Sequence, residues 1–150
     1  MTHPLDIPFD TMDGQQTTLR ALGGTRWLVV NVASACGSTP QYAALQSLHE
    51  ANADLTVVGF PCNQFGRQEP GTHQEICDFT ASRYKVDFPL MAKADVNGPN
   101  RMQLFEHLCQ TADADGHAGD IRWNFEKFIV NEDGSVQRFS SRVKPDALGL

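Results

Sequence analysis

One stretch constrains the fold more than any other: Trp27-Leu28-Val29-Val30-Asn31-Val32-Ala33-Ser34-Ala35-Cys36-Gly37-Ser38-Thr39-Pro40. It opens on a short, almost unbroken apolar run, mostly β-branched. Such a run reads as a strand buried on both faces in a partly parallel sheet. Small residues follow, and then a helix start, with Thr39 expected as N-cap and Pro40 at the first helical position. Cys36 is therefore expected at the end of a core strand, just before a helix N-terminus. Unpaired N–H groups and the positive end of the helix dipole stabilise a thiolate there, without help from a histidine. The competing reading is a buried, inert thiol. A dithiol oxidoreductase would carry a second cysteine where Thr39 stands, so no local disulfide can form at this helix start. The thiolate must react with another partner, and a peroxide is one candidate.

The remaining elements follow in chain order. Ile7-Pro8-Phe9 and Thr17-Thr18-Leu19 flank Asp13-Gly14, which predicts an N-terminal β-hairpin ended by Gly23-Gly24. A core strand is expected over 27–33, and a helix over 40–51 with Tyr42, Leu45 and Leu48 on its apolar face. A second buried strand is expected over 55–60. Strand, helix and strand with short joints make a βαβ unit, with parallel strands and a right-handed crossover. The loop 61–71 leaves the carboxyl end of the second strand, where open α/β sheets place their ligands. Thr72 and Glu75 spell a capping box for the next helix, which carries Ile76, Cys77, Phe79 and Tyr84. Residues 88–94 read as a strand interrupted early by Pro89, 101–109 as a helix, and 111–120 as a loop. A hairpin follows, with strands over 123–130 and 135–139 around Glu132-Asp133-Gly134, and Pro145-Asp146 opens a last short helix. This order predicts an α/β chain of thioredoxin-like plan: a central mixed β-sheet flanked by helices, with an N-terminal β-hairpin.

Length and composition set the outer bounds. One hundred and fifty residues predict a single domain over 1–150. The net charge of −6 argues against nucleic acid or an anionic membrane surface as partner. No apolar run approaches the ~20 residues of a membrane span. Residues 1–6 lack the basic and apolar regions of an export signal, so the four scattered cysteines are expected as reduced thiols in a cytoplasm. No cofactor is called for. Cys62, His73 and Cys77 could be imagined around a metal, but they lack the paired ligand spacing of structural zinc sites.

A peroxide-reducing thiolate needs donors that stabilise it and polarise the departing oxygen. Neutral donors suit this work because they do not titrate. Asn63, Gln64 and Gln68 in the loop after the second strand, and Trp123 and Asn124 at the hairpin start, are the candidates. Each has a plainer reading: loop amides usually serve backbone groups, and a tryptophan at a strand start is usually core.

Several blocks, taken together and in order, resemble the glutathione peroxidase family. Asn31-Val-Ala-Ser-Ala-Cys36-Gly-Ser-Thr-Pro-Gln-Tyr42 resembles its nucleophile signature. Gly59-Phe-Pro-Cys-Asn-Gln-Phe-Gly66 with Gln68-Glu-Pro-Gly71 resembles the second signature, and Trp123-Asn-Phe-Glu-Lys-Phe128 the third. Asp95-Val-Asn-Gly-Pro-Asn100 fits as well, and the similarity covers roughly residues 5 to 145. The resemblance implies a thioredoxin-like fold and thiol-dependent reduction of hydrogen peroxide and organic hydroperoxides, in the response to oxidative stress. It maps the peroxidatic residue onto Cys36, in place of the selenocysteine of some members, and the rest of a catalytic tetrad onto Gln68, Trp123 and Asn124. It implies thioredoxin or glutathione as reductant. The short 111–120 loop lacks the insertion of tetrameric members, which favours a monomer. Thioredoxin-using members carry a resolving cysteine in the helix after Gln-Glu-Pro-Gly. Here that place holds Ala81 or its neighbour Thr80, and Cys77 lies about one turn earlier as the resolving candidate. Cys62 and Cys109 read as packing residues. The alternative function is a redox sensor, which would use the same Cys36 to pass oxidation to a partner protein.

Overall fold

The structure, a computed structural model, describes residues 3–150; Met1 and Thr2, the start of the segment read for an export signal, lie outside the described residues. The centre of the fold is β3 (Arg26–Val32), which pairs on both edges. On one side it runs parallel to β4 (Leu55–Pro61), with Val29 opposite Val58. On the other it runs antiparallel to β5 (Lys127–Asn131), with Val29 opposite Phe128. With β6 (Val136–Phe139), which pairs antiparallel to β5, the sheet has the order β4-β3-β5-β6. This is the mixed sheet that the run of apolar residues predicted.

Both faces of β3 are covered, which explains why its sequence shows no polar alternation. Side chains alternate across a strand. Trp27 and Val29 pack with Val58, Phe60 and Phe128 against Leu104, Phe105 and Leu108 of α4 (Gln103–Leu108). Leu28, Val30 and Val32 pack with Val57 and Ile129 against Tyr42 and Leu45 of α2 (Gln41–Ala51). Burying each such side chain contributes roughly 1.5–3 kcal/mol. The N-terminal hairpin is present as β1 (Phe9–Asp10) and β2 (Gln16–Thr17). It is followed by a helical turn, α1 (Leu19–Leu22), where the sequence suggested only extended chain. The capping box forms as expected, with Thr72 and Glu75 reciprocally bonded at the start of α3 (His73–Tyr84).

Three expectations are corrected. Thr39 does not cap α2; Pro40 stands at the cap position with no side-chain bond, and the helix starts at Gln41. The Thr39 hydroxyl is already committed, donating to Ala33 O (2.8 Å) and accepting from Cys36 N–H (2.9 Å). Residues 88–94 form no strand: Leu90 and Met91 make only isolated bridges, to Gly59 and Thr11. Pro89 has no N–H to give a ladder, yet its carbonyl accepts from Gly59 N–H at 2.9 Å. The segment lies so close that a Cβ on Gly59 would stand 2.6 Å from Leu90 Cδ2, which only glycine permits. Finally, β5 begins at Lys127 rather than at 123, because Trp123–Glu126 turn instead of extending, with Phe125 at φ 63°.

Buried charges tie the loops to this frame. Arg138, on β6, pairs with Glu126, and both side chains are fully buried. Arg138 also donates to the carbonyls of Cys109 (3.2 Å), Thr111 (3.1 Å) and Asp120 (3.1 Å), which fastens the 109–120 loop to the sheet. Glu69 is fully buried as well. It accepts from Ser34 N–H at 3.1 Å, and its own N–H donates to Asn63 Oδ1 at 2.9 Å. Burial pushes the Glu69 carboxyl above its usual range, only partly offset by hydrogen bonding from Ser34 and the charge of Lys93.

That shift predicts a pH dependence. The folded protein holds the Glu69 proton to higher pH than the unfolded chain does, so this group's contribution to stability falls as pH rises from the ordinary carboxyl value near 4.5 through the raised folded value. Glu69→Gln keeps an acceptor for Ser34 N–H and removes the titration. The variant's unfolding free energy in urea is expected to gain on the wild type between pH 4 and pH 7. Parallel pH profiles would show that Glu69 titrates no differently in the folded chain.

Candidate active site

Cys36 lies just beyond the end of β3, in a tight turn closed by Thr39 N–H bonding to Cys36 O at 3.0 Å. It is 8% exposed, so the thiol is nearly buried. Ser38 N–H points at its Sγ, 3.3 Å away. The turn leads into α2, which starts at Gln41.

The loop after β4 folds back on this turn. Cys62 N–H extends the pairing by donating to Val32 O (3.1 Å), and Ala35 N–H donates to Gln68 O (3.0 Å). Together with the Glu69–Ser34 bond this fastens residues 68–69 to 34–35, so Gln68 is delivered beside the Cys36 turn. Gly66 and Arg67 both have positive φ, at 67° and 54°, where the loop reverses. A Cβ on Gly66 would lie 3.2 Å from Trp123 Cη2 and 3.3 Å from Gln68 Cδ, so Trp123 and Gln68 flank the same glycine.

The third segment is the turn Trp123–Glu126 before β5. Asn124 is fully buried. Its Nδ2 donates to Gln68 Oε1 at 2.9 Å and reaches Phe65 O at 3.5 Å. Trp123 packs edge-on against Phe65, with ring centroids 6.0 Å apart, and is 38% exposed rather than core. Gln68, Trp123 and Asn124 thus meet, although about 55 residues separate them in sequence. Among the described residues, no hydrogen bond joins their side chains to Cys36 Sγ, whose donor is Ser38 N–H. An open pocket of about 620 Å³ adjoins Trp123, bounded also by Ser38, Asp115, Ser140 and Ser141 with Arg122 and Arg142. Beneath its rim, Lys127 is fully buried and donates to Ser141 O at 3.3 Å; burial holds its ammonium pKa down at about 8.

The other candidate donors have structural duties. Asn63 Oδ1 takes Glu69 N–H. Gln64 Oε1 accepts from Val96 N–H (2.8 Å) and Asn97 N–H (3.0 Å), while its amide donates to Asn97 O (2.8 Å), so it fixes the 95–100 turn. All four cysteines are free. Cys62 and Cys109 are buried, and burial raises both thiol pKa values. Cys77 is half-buried on α3, with its Sγ 3.2 Å from Met12 Sδ. The His73 ring bonds to Met12 O (3.2 Å) and Lys93 N (3.3 Å). Among the described residues no cluster of His, Cys, Asp and Glu is arranged to hold a metal.

Sequence reasoning passed over Glu69 and Asn31 as individuals. Asn31 sits in the apolar run, and a carboxamide at a fully buried strand position was the signal. Its Nδ2 donates to Trp123 O at 3.0 Å, and its Oδ1 accepts from Glu126 N–H at 3.1 Å.

A nearly buried cysteine with a backbone donor at its sulfur lies in a turn bonded to the loop that carries Gln68, and Gln68 is in turn bonded to Asn124. Comparison with known proteins gives the family. The glutathione peroxidase family model matches residues 5–109. A hydroperoxy fatty acid reductase of Synechocystis sp. is 46% identical over 150 residues, covering 98% of this chain and 94% of its own length. A thioredoxin/glutathione peroxidase of Escherichia coli is 42% identical over 157 residues, covering 90% of this chain and 86% of its own. Among solved structures, the crystal structure of Trgpx in apo form superposes with a TM-score of 0.76 at 34% identity, covering 97% of this chain and 90% of that one. The fold is thioredoxin-like, and the chain belongs to the glutathione peroxidase family.

Proposed function

We propose that the protein is a thiol peroxidase that reduces hydrogen peroxide and organic hydroperoxides through Cys36. The observation that carries the reading is the 2.9 Å bond between Asn124 Nδ2 and Gln68 Oε1, which joins two neutral amides beside the Cys36 turn. The Cys36 thiolate attacks the distal peroxide oxygen. An S–O bond forms as the O–O bond breaks, and the departing alkoxide or hydroxide takes up a proton, leaving an alcohol or water and a sulfenic acid on Cys36. Gln68, Trp123 and Asn124 supply the neutral donors for this step. A second thiol then attacks the sulfenic sulfur, releasing water and forming a disulfide, which thioredoxin or glutathione reduces. The names of the Synechocystis and E. coli relatives support lipid-type hydroperoxides as substrates and either reductant. The pocket of about 620 Å³, open beside Trp123, supports a bulky organic peroxide.

The reading takes residues 1–150 as one catalytic domain and the protein as a monomer, supported by the short 111–120 loop. It places the reaction in the cytoplasm, supported by four free thiols. No helix among the described residues is long and apolar enough to cross a membrane. A sensor would use the same cysteine, but the relatives are named as reductases and peroxidases, which favours turnover.

Cys77 is proposed as the resolving thiol. It is half-buried on α3, the helix where the family places that residue, and it forms no disulfide with Cys36 here. A disulfide requires Cα atoms within about 7 Å, so we expect α3 to open locally before the bond can form.

Three outcomes test these assignments. Cys36→Ser is expected to abolish peroxide consumption while the far-UV circular dichroism is unchanged, because a hydroxyl of similar size does not ionise near neutrality; retained turnover would move the nucleophile elsewhere. Asn124→Ala and Gln68→Ala are each expected to slow Cys36 oxidation by ~10²-fold and to move its alkylation profile to higher pH. Wild-type profiles in both would remove these donors from the mechanism. After one equivalent of peroxide, mass spectrometry is expected to find a Cys36–Cys77 bridge, and Cys77→Ser is expected to lose thioredoxin-supported turnover. Full turnover in Cys77→Ser would make this a one-cysteine peroxidase.

A further inference from the structure

Asn31 is the one carboxamide in β3, where Trp27 to Val32 are otherwise apolar, and it is wholly buried. Leaving its amide without partners there would be destabilising, because a buried polar group loses its bonds to water. It has partners, and all of them lie in one place. Its Nδ2 donates to Trp123 O (3.0 Å), its Oδ1 accepts from Glu126 N–H (3.1 Å), and its backbone oxygen accepts from Phe125 N–H (2.6 Å). One residue therefore grips the first, third and fourth positions of the turn that carries Trp123 and Asn124.

The ladder explains why a side chain is needed. β3 and β5 pair in register up to Val30 opposite Lys127. One step further, Asn31 would face Glu126, but the partner chain has left the strand conformation, with Phe125 held at φ 63°. A non-glycine residue at that angle is strained and persists only where its surroundings hold it. The Asn31 carboxamide supplies the donor and the acceptor that a regular strand pair would have supplied. The turn can then reverse and still leave its polar groups satisfied. Glu126 closes the turn from the other side, accepting Arg122 N–H at 3.1 Å and pairing with Arg138.

We propose that Asn31 is a positioning residue for the peroxidase reaction: its carboxamide holds the Trp123–Glu126 turn so that Trp123 and Asn124 stand beside Gln68 and the Cys36 turn. The inference rests on the reading of Trp123 and Asn124 as donors to the reaction. Asn31 touches no reacting atom. It acts through the 2.9 Å Asn124–Gln68 bond, which requires the turn to sit at one height above the sheet.

The experiment is a double-mutant cycle read by the rate of Cys36 oxidation with hydrogen peroxide. Asn31→Ala is expected to slow oxidation by ~10²-fold, as loss of an oxyanion-type donor does, and to raise the pH midpoint of Cys36 alkylation. Asn31→Ala combined with Asn124→Ala is expected to be slowed by much less than the product of the two single effects, because both act through the same turn. Acrylamide quenching adds a signature that lost stability alone would not move: the exposed Trp123 is expected to become more accessible while Trp27, 2% exposed, does not. Asn31→Asp, which keeps the size and the acceptor for Glu126 N–H but loses the amide donor, is expected to show the same kinetic defect if Asn31→Ala fails to fold. In the wild-type protein the amides of Phe125 and Glu126 are expected to exchange as slowly as those of β3. A wild-type oxidation rate in a folded Asn31 variant, an additive double mutant, or loop-like exchange at Phe125 and Glu126 would overturn the inference. A wild-type rate in Asn124→Ala would remove the donor reading and this inference with it; a slow Asn124→Ala beside a wild-type-like Asn31→Ala would remove this inference alone.

Discussion

The structure depends on β3 being paired along both edges and covered on both faces. A strand in that position has no freedom to slip, because a one-residue shift would reverse every side chain between two filled cores. Its carboxyl end is thereby a fixed point. Three segments that carry the proposed site residues meet there: the Cys36 turn that continues β3, the loop that leaves β4 and returns at Gln68, and the turn that enters β5 at Lys127. The parallel partner and the antiparallel partner approach that end from opposite chain directions. This is how residues from the middle and the end of the chain come to lie beside Cys36.

What holds these segments at close range is mostly backbone hydrogen bonding to buried polar side chains. Thr39 ties the Cys36 turn to Ala33, Glu69 and the Gln68 carbonyl tie the β4 loop to residues 34–35, and Asn31 ties the β5 turn to β3. The Thr39, Glu69 and Asn31 side chains are buried, so an unmade bond there would leave a desolvated group behind. The site is therefore preorganised by its scaffold. Neutral amides and an indole keep their donor character across the whole pH range in which a thiolate forms. Glu126 and Arg138, two of the ionisable groups nearby, are paired with each other and hold the 109–120 loop and the turn in place.

Much of this was legible in the residues. The apolar run before Cys36 carried the buried strand and the position of the thiol, because burial on both faces leaves a continuous apolar pattern. Asp13-Gly14 and Thr72 with Glu75 carried a hairpin and a helix start, since those are local hydrogen-bonding devices that need no distant partner. The expectations that failed were those where a local signal competed with a tertiary demand. Thr39 has the chemistry of an N-cap, but its hydroxyl is used between Ala33 and Cys36. The aromatic-rich segment from Trp123 has the composition of a strand, but its first four residues turn to present Asn124 to Gln68.

The sequence by itself determined the central strand–helix–strand unit and the C-terminal hairpin, the placement of Cys36 between a core strand and a helix, and the presence of neutral amides in two later segments. These follow from periodicity and from side-chain chemistry acting within a few residues. Only the tertiary structure decided which amides meet. Asn63, Gln64 and Gln68 share one loop and similar chemistry, yet Asn63 and Gln64 are consumed by backbone groups while Gln68 bonds to Asn124. That division depends on how the β4 loop is folded back by Ala35 and Ser34 and on how Asn31 sets the opposing turn. Those are contacts between residues roughly 35 to 95 positions apart, which no local pattern records.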